Sequence, residues 1–306
     1  MRLEEYCLDQ TLTEGRTKEL GEQQTLILLK KHCMKSVRQW QKNKGHYIYR
    51  GIEDFWKNYG VVVPKHDERT SRNTANYYTL FFDNSNKWKS FPKRSRSIIA
   101  STTEQYDYGA LYHIFPYDGS KIGIVPAEDM WEGFKFQIGG SLSSYNRVIE
   151  AILNLPNKMM RKGSSDKEYD DNWKVFTKAM DKFDDWWELA VEETIDNWKE
   201  DAEPGEVIGG KWEAHESMKE IAEDFMNDST IDIRMVRIFL NEYKGNFKNT
   251  LNFFLDPKKS GFKIVKAGDN LPAREHEIWT DGKSIAILHE KVNSKYTEMY
   301  KWIMEL

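Results

Sequence analysis

The chain has 306 residues, enough for one large domain or two ordinary ones with a substantial hydrophobic core. Hydrophobic residues make up 39% and charged residues 31% of the sequence, which predicts a soluble, aromatic-rich globular protein. No run approaches the ~18 apolar residues that a membrane-spanning helix needs, and the first residues lack the apolar core of a signal peptide. With two cysteines, Cys7 and Cys33, we expect a cytoplasmic protein without a disulfide framework.

The first part of the chain predicts a helix followed by a strand. Residues 12–43 carry apolar side chains at three- and four-residue intervals, which favours one amphipathic helix that ends at Gly45. Residues 46–51 then predict a short strand with Arg50 at its end. An arginine there is commonly a solvated cation, but Gly51 directly after it would let a ligand approach the backbone.

A basic segment and a hydroxyl-rich strand end come next. Residues 87–96 contain five basic side chains and no acidic one, so they could bind phosphate groups of a nucleotide or of nucleic acid, or form a solvated loop. Residues 97–100 predict a buried strand that places Ser101, Thr102 and Thr103 at its end. Hydroxyls in that position commonly cap a following helix.

Two further strands precede a long helical block. Residues 110–116 and 121–126 predict strands joined by a turn. The sequence then predicts helices over residues 127–135, 142–155, 169–201, 212–227, 232–243 and 246–255. The longest has twelve acidic and four basic residues between Asp170 and Glu203, a local net charge of −8. It is typical of a packed helix with a solvated face, or of a docking surface for a basic protein.

The last part of the chain returns to strands. Residues 262–265, 275–280 and 283–288 predict strands, and residues 290–305 predict a closing helix. We therefore expect an α+β fold with an N-terminal helical segment (1–45), a core built from 46–140 and 257–306, and a helical insertion (141–256).

The strand over residues 275–280 carries two acidic side chains. Alternation along a strand would place Glu275 and Glu277 on one face, about 6–7 Å apart at the backbone. Two carboxylates at such a separation can break a glycosidic bond, one by stabilising the cationic transition state and the other by accepting a proton. The simpler interpretation is an exposed strand face that carries two glutamates.

Other nucleotide and metal motifs are missing from the sequence. No Gly-x-Gly-x-x-Gly opens a helix after a strand, so a Rossmann dinucleotide site is not supported. The seven histidines show no His-Glu-x-x-His spacing, and no metal site is expected.

Three motifs, taken in order, resemble a known family. Tyr49-Arg50-Gly51, then Ser101-Thr102-Thr103, then Glu275-His276-Glu277 are similar to the Arg–Ser–Glu motifs of arginine-directed, cholera-toxin-like ADP-ribosyltransferases. Residues 91–97, 112–116 and 129–131 also look like segments of such proteins from tailed bacteriophages. The resemblance covers about a third of the chain. The family usually has Ser-Thr-Ser, so Thr103 departs from its pattern, and the helical block is longer than in minimal members.

The resemblance implies a split β-sheet core, NAD as the substrate and a target protein as the acceptor, in the host cytoplasm for a phage-encoded enzyme. It implies that Arg50, with Gly51 beside it, holds the phosphates or the nicotinamide ribose. Glu277 would hold the ribose and stabilise positive charge as nicotinamide leaves. Glu275 would orient the acceptor and remove its proton, the role that in this class marks arginine as the acceptor. No metal or membrane is implied.

The remaining site residues are also implied by position in this pattern. Ser101, with the neighbouring Thr102 and Thr103, would hydrogen-bond the ribose or fix Glu277. Further phosphate contacts would come from Arg94 or Arg96. An aromatic ring stacked on nicotinamide would come from Tyr108 or Tyr112.

Three alternatives stay open at the level of sequence. The chain could be a non-enzymatic interaction protein that binds a partner through the acidic, Trp-rich helical block. It could be an ADP-ribosyltransferase that modifies nucleic acid bound by residues 87–96. It could also use water as the acceptor and act as an NAD glycohydrolase.

Overall fold

The structure is a computed structural model, and it describes residues 18–52, 57–64, 77–104, 109–153, 155, 166–225, 233–292 and 295–306. The chain folds into two compact units. The first unit contains residues 1–69, 82–133 and 257–306, and the second contains residues 70–81 and 134–256. The first unit carries the sheet and the second is helical, so the α+β class predicted from the sequence is confirmed.

The first unit is built on one antiparallel sheet. Its strands are β1 (Lys18–Glu19), β2 (Tyr49–Ile52), β3 (Tyr59–Val62), β4 (Ile98–Ser101), β5 (Ala110–Pro116), β6 (Lys121–Ile124), β7 (Lys263–Lys266), β8 (Glu277–Thr280) and β9 (Ser284–Leu288). They lie side by side in the order β1-β3-β9-β5-β2-β4-β8-β6-β7. Strands that are distant in sequence are therefore neighbours in the sheet.

The helices that the structure describes flank the strands along the chain or form the second unit. They are α1 (Glu22–His32), α2 (Met34–Lys42), α3 (Tyr77–Asn84), α4 (Lys135–Ile138), α5 (Leu142–Leu153), α6 (Asp166–Asp201), α7 (Lys211–Phe225), α8 (Ile233–Glu242), α9 (Phe247–Phe254), α10 (His289–Val292) and α11 (Glu298–Glu305). A short 3₁₀ turn covers Arg94–Arg96.

The sheet is continuous rather than split. Hydrogen bonding links all nine strands, in contrast with the split sheet that the family resemblance implies. The junction between β2 and β4 is nonetheless narrow, because its in-register pairing consists of Tyr49 opposite Ser101. On its other edge β2 pairs with β5 over its full length, from Tyr49 opposite His113 to Ile52 opposite Ala110.

The N-terminal helix predicted over residues 12–43 is wrong as a single element, and its part before residue 18 lies outside the described residues. The chain forms β1 and then two helices that meet at Cys33, whose backbone (φ −125°, ψ 20°) is not helical. The buried Cys33 thiol donates to the Phe115 carbonyl at 3.3 Å. This contact with the sheet bends the chain where the apolar periodicity alone would continue the helix.

Three other elements differ from the sequence prediction. Strand β3 was not predicted, although Val61 is fully buried in the core. The helix predicted over 127–135 is a series of turns, and α4 starts only at Lys135. The helix predicted over 290–305 is two helices, because Thr297 caps α11 by accepting a hydrogen bond from the Tyr300 N–H at 3.2 Å.

Helices α5 to α9 of the second unit lie close to their predicted positions. Partly buried polar contacts join the helices. Trp187 of α6 donates to His215 Nδ1 of α7 at 2.7 Å. Asp184 of α6 accepts hydrogen bonds from the Tyr243 hydroxyl at 2.6 Å and from the Phe247 N–H at 2.8 Å. Among the described residues, no helix is both long and apolar enough to cross a membrane.

The packing of β6 against β8 gives a test of the fold. Gly123 lies directly opposite Trp279, and a Cβ added at Gly123 would come within 2.3 Å of the Trp279 ring. We expect Gly123→Ala to lower the free energy of unfolding by about 1–3 kcal/mol through overpacking. Urea denaturation measures this change.

A double-mutant cycle supplies the control. Trp279→Phe removes the ring atoms that the new Cβ would meet, so the cost of Gly123→Ala should be smaller in the Trp279→Phe background. Equal costs in the two backgrounds would contradict the packing described for this pair.

Candidate functional site

The three motifs lie on strands that are consecutive in the sheet. Strand β2 carries Arg50, β4 ends at Ser101, and β8 begins at Glu277. Ser101 lies opposite Tyr49 on one side and opposite Glu277 on the other. Residues directly opposite each other in antiparallel strands project to the same face, so the side chains of Ser101 and Glu277 are neighbours. The fold therefore gathers three segments that are far apart in the sequence.

The Glu277 carboxylate is held at both oxygens. Its Oε1 forms an ion pair with Arg94 Nη1 at 2.5 Å, and its Oε2 accepts a hydrogen bond from the Met130 N–H at 3.1 Å. Both side chains of the ion pair are buried, with 7% of Arg94 and 12% of Glu277 exposed. The Arg94 guanidinium also lies 5.7 Å from the ring centre of Trp279, a favourable cation–π distance.

The turn that carries Arg94 is held in place by Asp83. The Asp83 carboxylate accepts hydrogen bonds from the Arg94 N–H at 2.6 Å and from the Ser95 N–H at 3.1 Å. Further phosphate contacts are expected from Arg94 or Arg96, but the structure places the two side chains differently. Arg94 points inward to Glu277, whereas Arg96 is exposed at the surface.

The chain before Glu277 is not a strand, in contrast with the prediction of a strand from residue 275. The Thr102 hydroxyl donates to the Arg274 carbonyl at 2.6 Å and accepts from the His276 N–H at 3.0 Å. These two bonds satisfy backbone groups that a continued ladder would use. Glu275 therefore precedes β8, and it is partly buried.

Ser101, the last residue of β4, and Thr103 form a turn held by their own hydrogen bonds. The Thr103 N–H donates to Ser101 Oγ at 3.1 Å, and the two hydroxyl oxygens are 3.4 Å apart. Ser101 is buried, with 2% exposed. Among the described residues, its hydroxyl bonds within this turn rather than to Glu277. Thr103 thus supports Ser101.

Arg50 carries a charge without a carboxylate partner among the described residues. Its Nη1 donates to the Ile99 carbonyl at 2.8 Å, next to the narrow junction between β2 and β4. Burial lowers the pKa of Arg50 from its ordinary value. The described contacts do not link its guanidinium to Ser101 or Glu277. Gly51 follows it within β2, opposite Leu111.

Of the two tyrosines expected to stack on nicotinamide, the structure describes Tyr112. Tyr108 lies outside the described residues. Tyr112 is 1% exposed, and its hydroxyl donates to the Lys57 carbonyl at 2.9 Å. Burial raises the pKa of Tyr112. In this arrangement its ring has no face open to a ligand.

Sequence reasoning missed the segment after β6. The N–H of Met130 binds Glu277, and the neighbouring Asp129 accepts from the Trp131 N–H at 2.9 Å. Partial burial raises the pKa of Asp129, and the nearby Glu277 charge raises it further. The signal in the sequence is the segment Asp129-Met130-Trp131, which the apolar pattern places in a helix and the structure places in a series of turns.

A small pocket lies beside the ion pair. Arg94, Met130 and Trp279 line it, together with the rings of Trp88 and Phe91. Its volume of about 40 Å³ accommodates a few water molecules and not a dinucleotide. The described lining of this pocket does not include Glu277 itself.

Two buried histidines, His113 and His289, are in contact next to β2, on the edge that pairs with β5. Trp40 Nε1 donates to His113 Nδ1 at 3.3 Å, and His113 Nε2 lies 3.1 Å from His289 Nδ1. Because indole nitrogen is only a donor, His113 carries its proton on Nε2 and donates to His289. The remaining nitrogen of His289 lies 3.9 Å from Glu104.

No group of three or more His, Cys, Asp or Glu in the described part of the chain could hold a metal ion.

Comparisons with known proteins add no relative to this description. No family model matches the chain, and neither the curated proteins nor the solved structures include a significant match. The likeness to ADP-ribosyltransferases therefore stays a resemblance of motifs.

The buried histidine generates a prediction about acid stability. Burial, with smaller contributions from His289 and His46, lowers the pKa of His113 from 6.5 to about 3. The unfolded chain takes up a proton at His113 below pH 6.5 and the folded chain does not, so stability is lost as the pH falls from 6.5 towards 3. We expect this residue to cost about 2 kcal/mol of unfolding free energy between pH 7 and pH 5.

His113→Gln is the test, because glutamine can accept from Trp40 and donate to His289 but does not titrate. Urea denaturation at pH 7 and pH 5 should show a smaller loss in the variant than in the wild type. The same loss in both proteins would contradict the assignment to His113.

Proposed function

We propose that the chain is a mono-ADP-ribosyltransferase that cleaves the nicotinamide–ribose bond of NAD and transfers ADP-ribose to a target protein on arginine. The adjacency of β2, β4 and β8 carries the proposal. Each strand bears one of the three motifs, and nothing in their sequence spacing requires them to be neighbours. Ser101 in register with Glu277 supports a shared site for these two side chains. Arg50 follows Tyr49, which lies opposite Ser101, so the Arg50 side chain leaves β2 on the opposite face of the sheet.

Arg50 is proposed to bind the pyrophosphate of NAD. A partly buried guanidinium without a carboxylate partner among the described residues favours an anionic ligand, because an uncompensated charge away from water is costly. Guanidinium groups pair with phosphate oxygens through two parallel hydrogen bonds. Arg96, which is exposed, is proposed to make a further phosphate contact.

The two glutamates are proposed to divide the chemistry. Glu277 accepts a hydrogen bond from a ribose hydroxyl and stabilises the positive charge that develops as the bond between ribose and the nicotinamide nitrogen breaks. The acceptor nitrogen forms the new bond to the same ribose carbon. Glu275 takes the proton that this nitrogen loses, and the electron pair of the broken bond leaves with neutral nicotinamide.

Three classes of acceptor fit the same chemistry. A protein, a nucleic acid bound by the exposed basic residues of 87–96, and water would each use the same cleavage of NAD. Labelled ADP-ribose found on protein, on nucleic acid or free in solution distinguishes these three acceptors.

The first test is the loss of transfer in Glu277→Gln. The amide keeps the shape of the side chain but removes its charge, so we expect the rate of nicotinamide release to fall by about 10²–10³-fold. Release of nicotinamide from NAD and incorporation of labelled ADP-ribose are measured together.

Glu275→Gln serves as the comparison. It should reduce transfer to the acceptor more than the hydrolysis of NAD, because Glu275 is assigned to the acceptor. A wild-type rate no higher than that of Glu277→Gln would overturn the proposed function.

A second function, partner binding by the helical unit, is favoured by its surface. Two large apolar side chains one turn apart on α6 face the solvent, Trp186 with 50% and Leu189 with 65% exposed. On α7, Trp212 is 69% exposed. Exposed aromatic residues on a strongly acidic helix are typical of a binding surface for a basic partner.

The test replaces Trp186 and Leu189 together with serine. Binding of an arginine- and lysine-rich probe protein should weaken by about tenfold or more, since buried aromatic anchors carry much of an interface. Ile27→Ser, at a 52% exposed apolar residue of α1, is the matched control. Equal binding by the double variant and the control would remove this second function.

A further inference from the structure

Arg94 differs from the other basic residues of its segment. Lys87, Lys89, Lys93 and Arg96 are exposed, whereas Arg94 is buried against Glu277 and Trp279. An arginine that binds the phosphate groups of a substrate would have to face a solvent-accessible cleft. The geometry therefore gives Arg94 a different task from the phosphate contact that its sequence position suggests.

The ion pair restricts how Glu277 can meet a substrate. Glu277 Oε1 is buried from solvent and faces Arg94 Nη1, which is equally buried. Oε2 is held by the Met130 N–H. With each oxygen fixed by one donor, the carboxylate plane cannot rotate freely, and a ribose hydroxyl has to approach from the Oε2 side.

The support of Arg94 is itself rigid. Asp83 holds the backbone of the turn through the N–H groups of Arg94 and Ser95. The Trp279 ring beneath the guanidinium is anchored by its Nε1, which donates to the Pro92 carbonyl at 2.8 Å. Such support holds a reacting group within the small tolerance that catalysis requires.

We propose that Arg94 is a positioning residue that fixes the orientation of the Glu277 carboxylate for the cleavage of NAD. The inference rests on the proposed function. It adds that Arg94 acts through Glu277 and does not bind the substrate.

The experiment compares Arg94→Lys, Arg94→Met and the wild type as full-length proteins, with kcat and KM for nicotinamide release from NAD as the measurement. Arg94→Met should lower kcat by about 10–100-fold and change KM by less than about threefold, because a misplaced carboxylate affects the reaction step. Arg94→Lys keeps a cation and should recover part of kcat. Arg38→Met, at an exposed arginine of α2, is the matched control and should keep both constants.

The outcomes separate the possible roles of Arg94. A raised KM with an unchanged kcat would assign Arg94 to phosphate binding and overturn the inference. Thermal unfolding of each variant measures the folded fraction. An unchanged kcat per folded molecule would reduce the ion pair to a structural role and also overturn it.

Failure of the underlying function gives a different result. A wild-type protein that releases no nicotinamide overturns the proposed function and this inference together. An active wild type with unaltered Arg94→Met overturns the inference alone. Should Arg94→Met fail to fold, the kcat and KM of Arg94→Lys decide, since the lysine is too short to reproduce the same paired geometry.

Discussion

The register of β4 between its two neighbours is the constraint on which the site depends. Ser101 faces Tyr49 across one edge and Glu277 across the other. A slip of one residue between β4 and β8 would turn Glu277 to the opposite face of the sheet. Gly123 secures the register on the far side of β8, because only a residue without a Cβ fits beneath the Trp279 ring. The packing of Trp279 against Gly123 thus sets the position of the Glu277 carboxylate, two residues earlier in β8.

The sequence predicted those elements whose signals are local. Strands β4, β5 and β9 are short apolar runs bounded by turns, and the helices of the second unit have clear periodicity. The break at Cys33 could not be predicted, because it depends on a contact with Phe115 on a strand far along the chain. Strand β3 is four residues long and contains Gly60, so its pattern is too weak to identify it without its partner β9.

The sequence named candidate residues for the site but could not show their contacts. The order of the motifs pointed to Arg50, Ser101 and Glu277, and the fold places their strands side by side. Nothing in the sequence distinguishes Arg94 from the lysines and arginine around it, since burial is decided by how its turn meets the sheet. The two-residue spacing of the glutamates also predicted a strand from residue 275, but the strand starts only at Glu277, because the Thr102 hydroxyl binds the backbone of Arg274 and His276 before it.

Two arginines in the first unit carry their charges under opposite conditions. A buried ion pair adds little net stability, since desolvation offsets most of the attraction, but it makes a buried carboxylate tolerable. Arg94 supplies this compensation for Glu277. Arg50, which has a carbonyl as its partner among the described residues, receives none, and burial already disfavours its charge. Of the two guanidiniums, Arg50 is therefore the one whose electrostatics an incoming anion would complete.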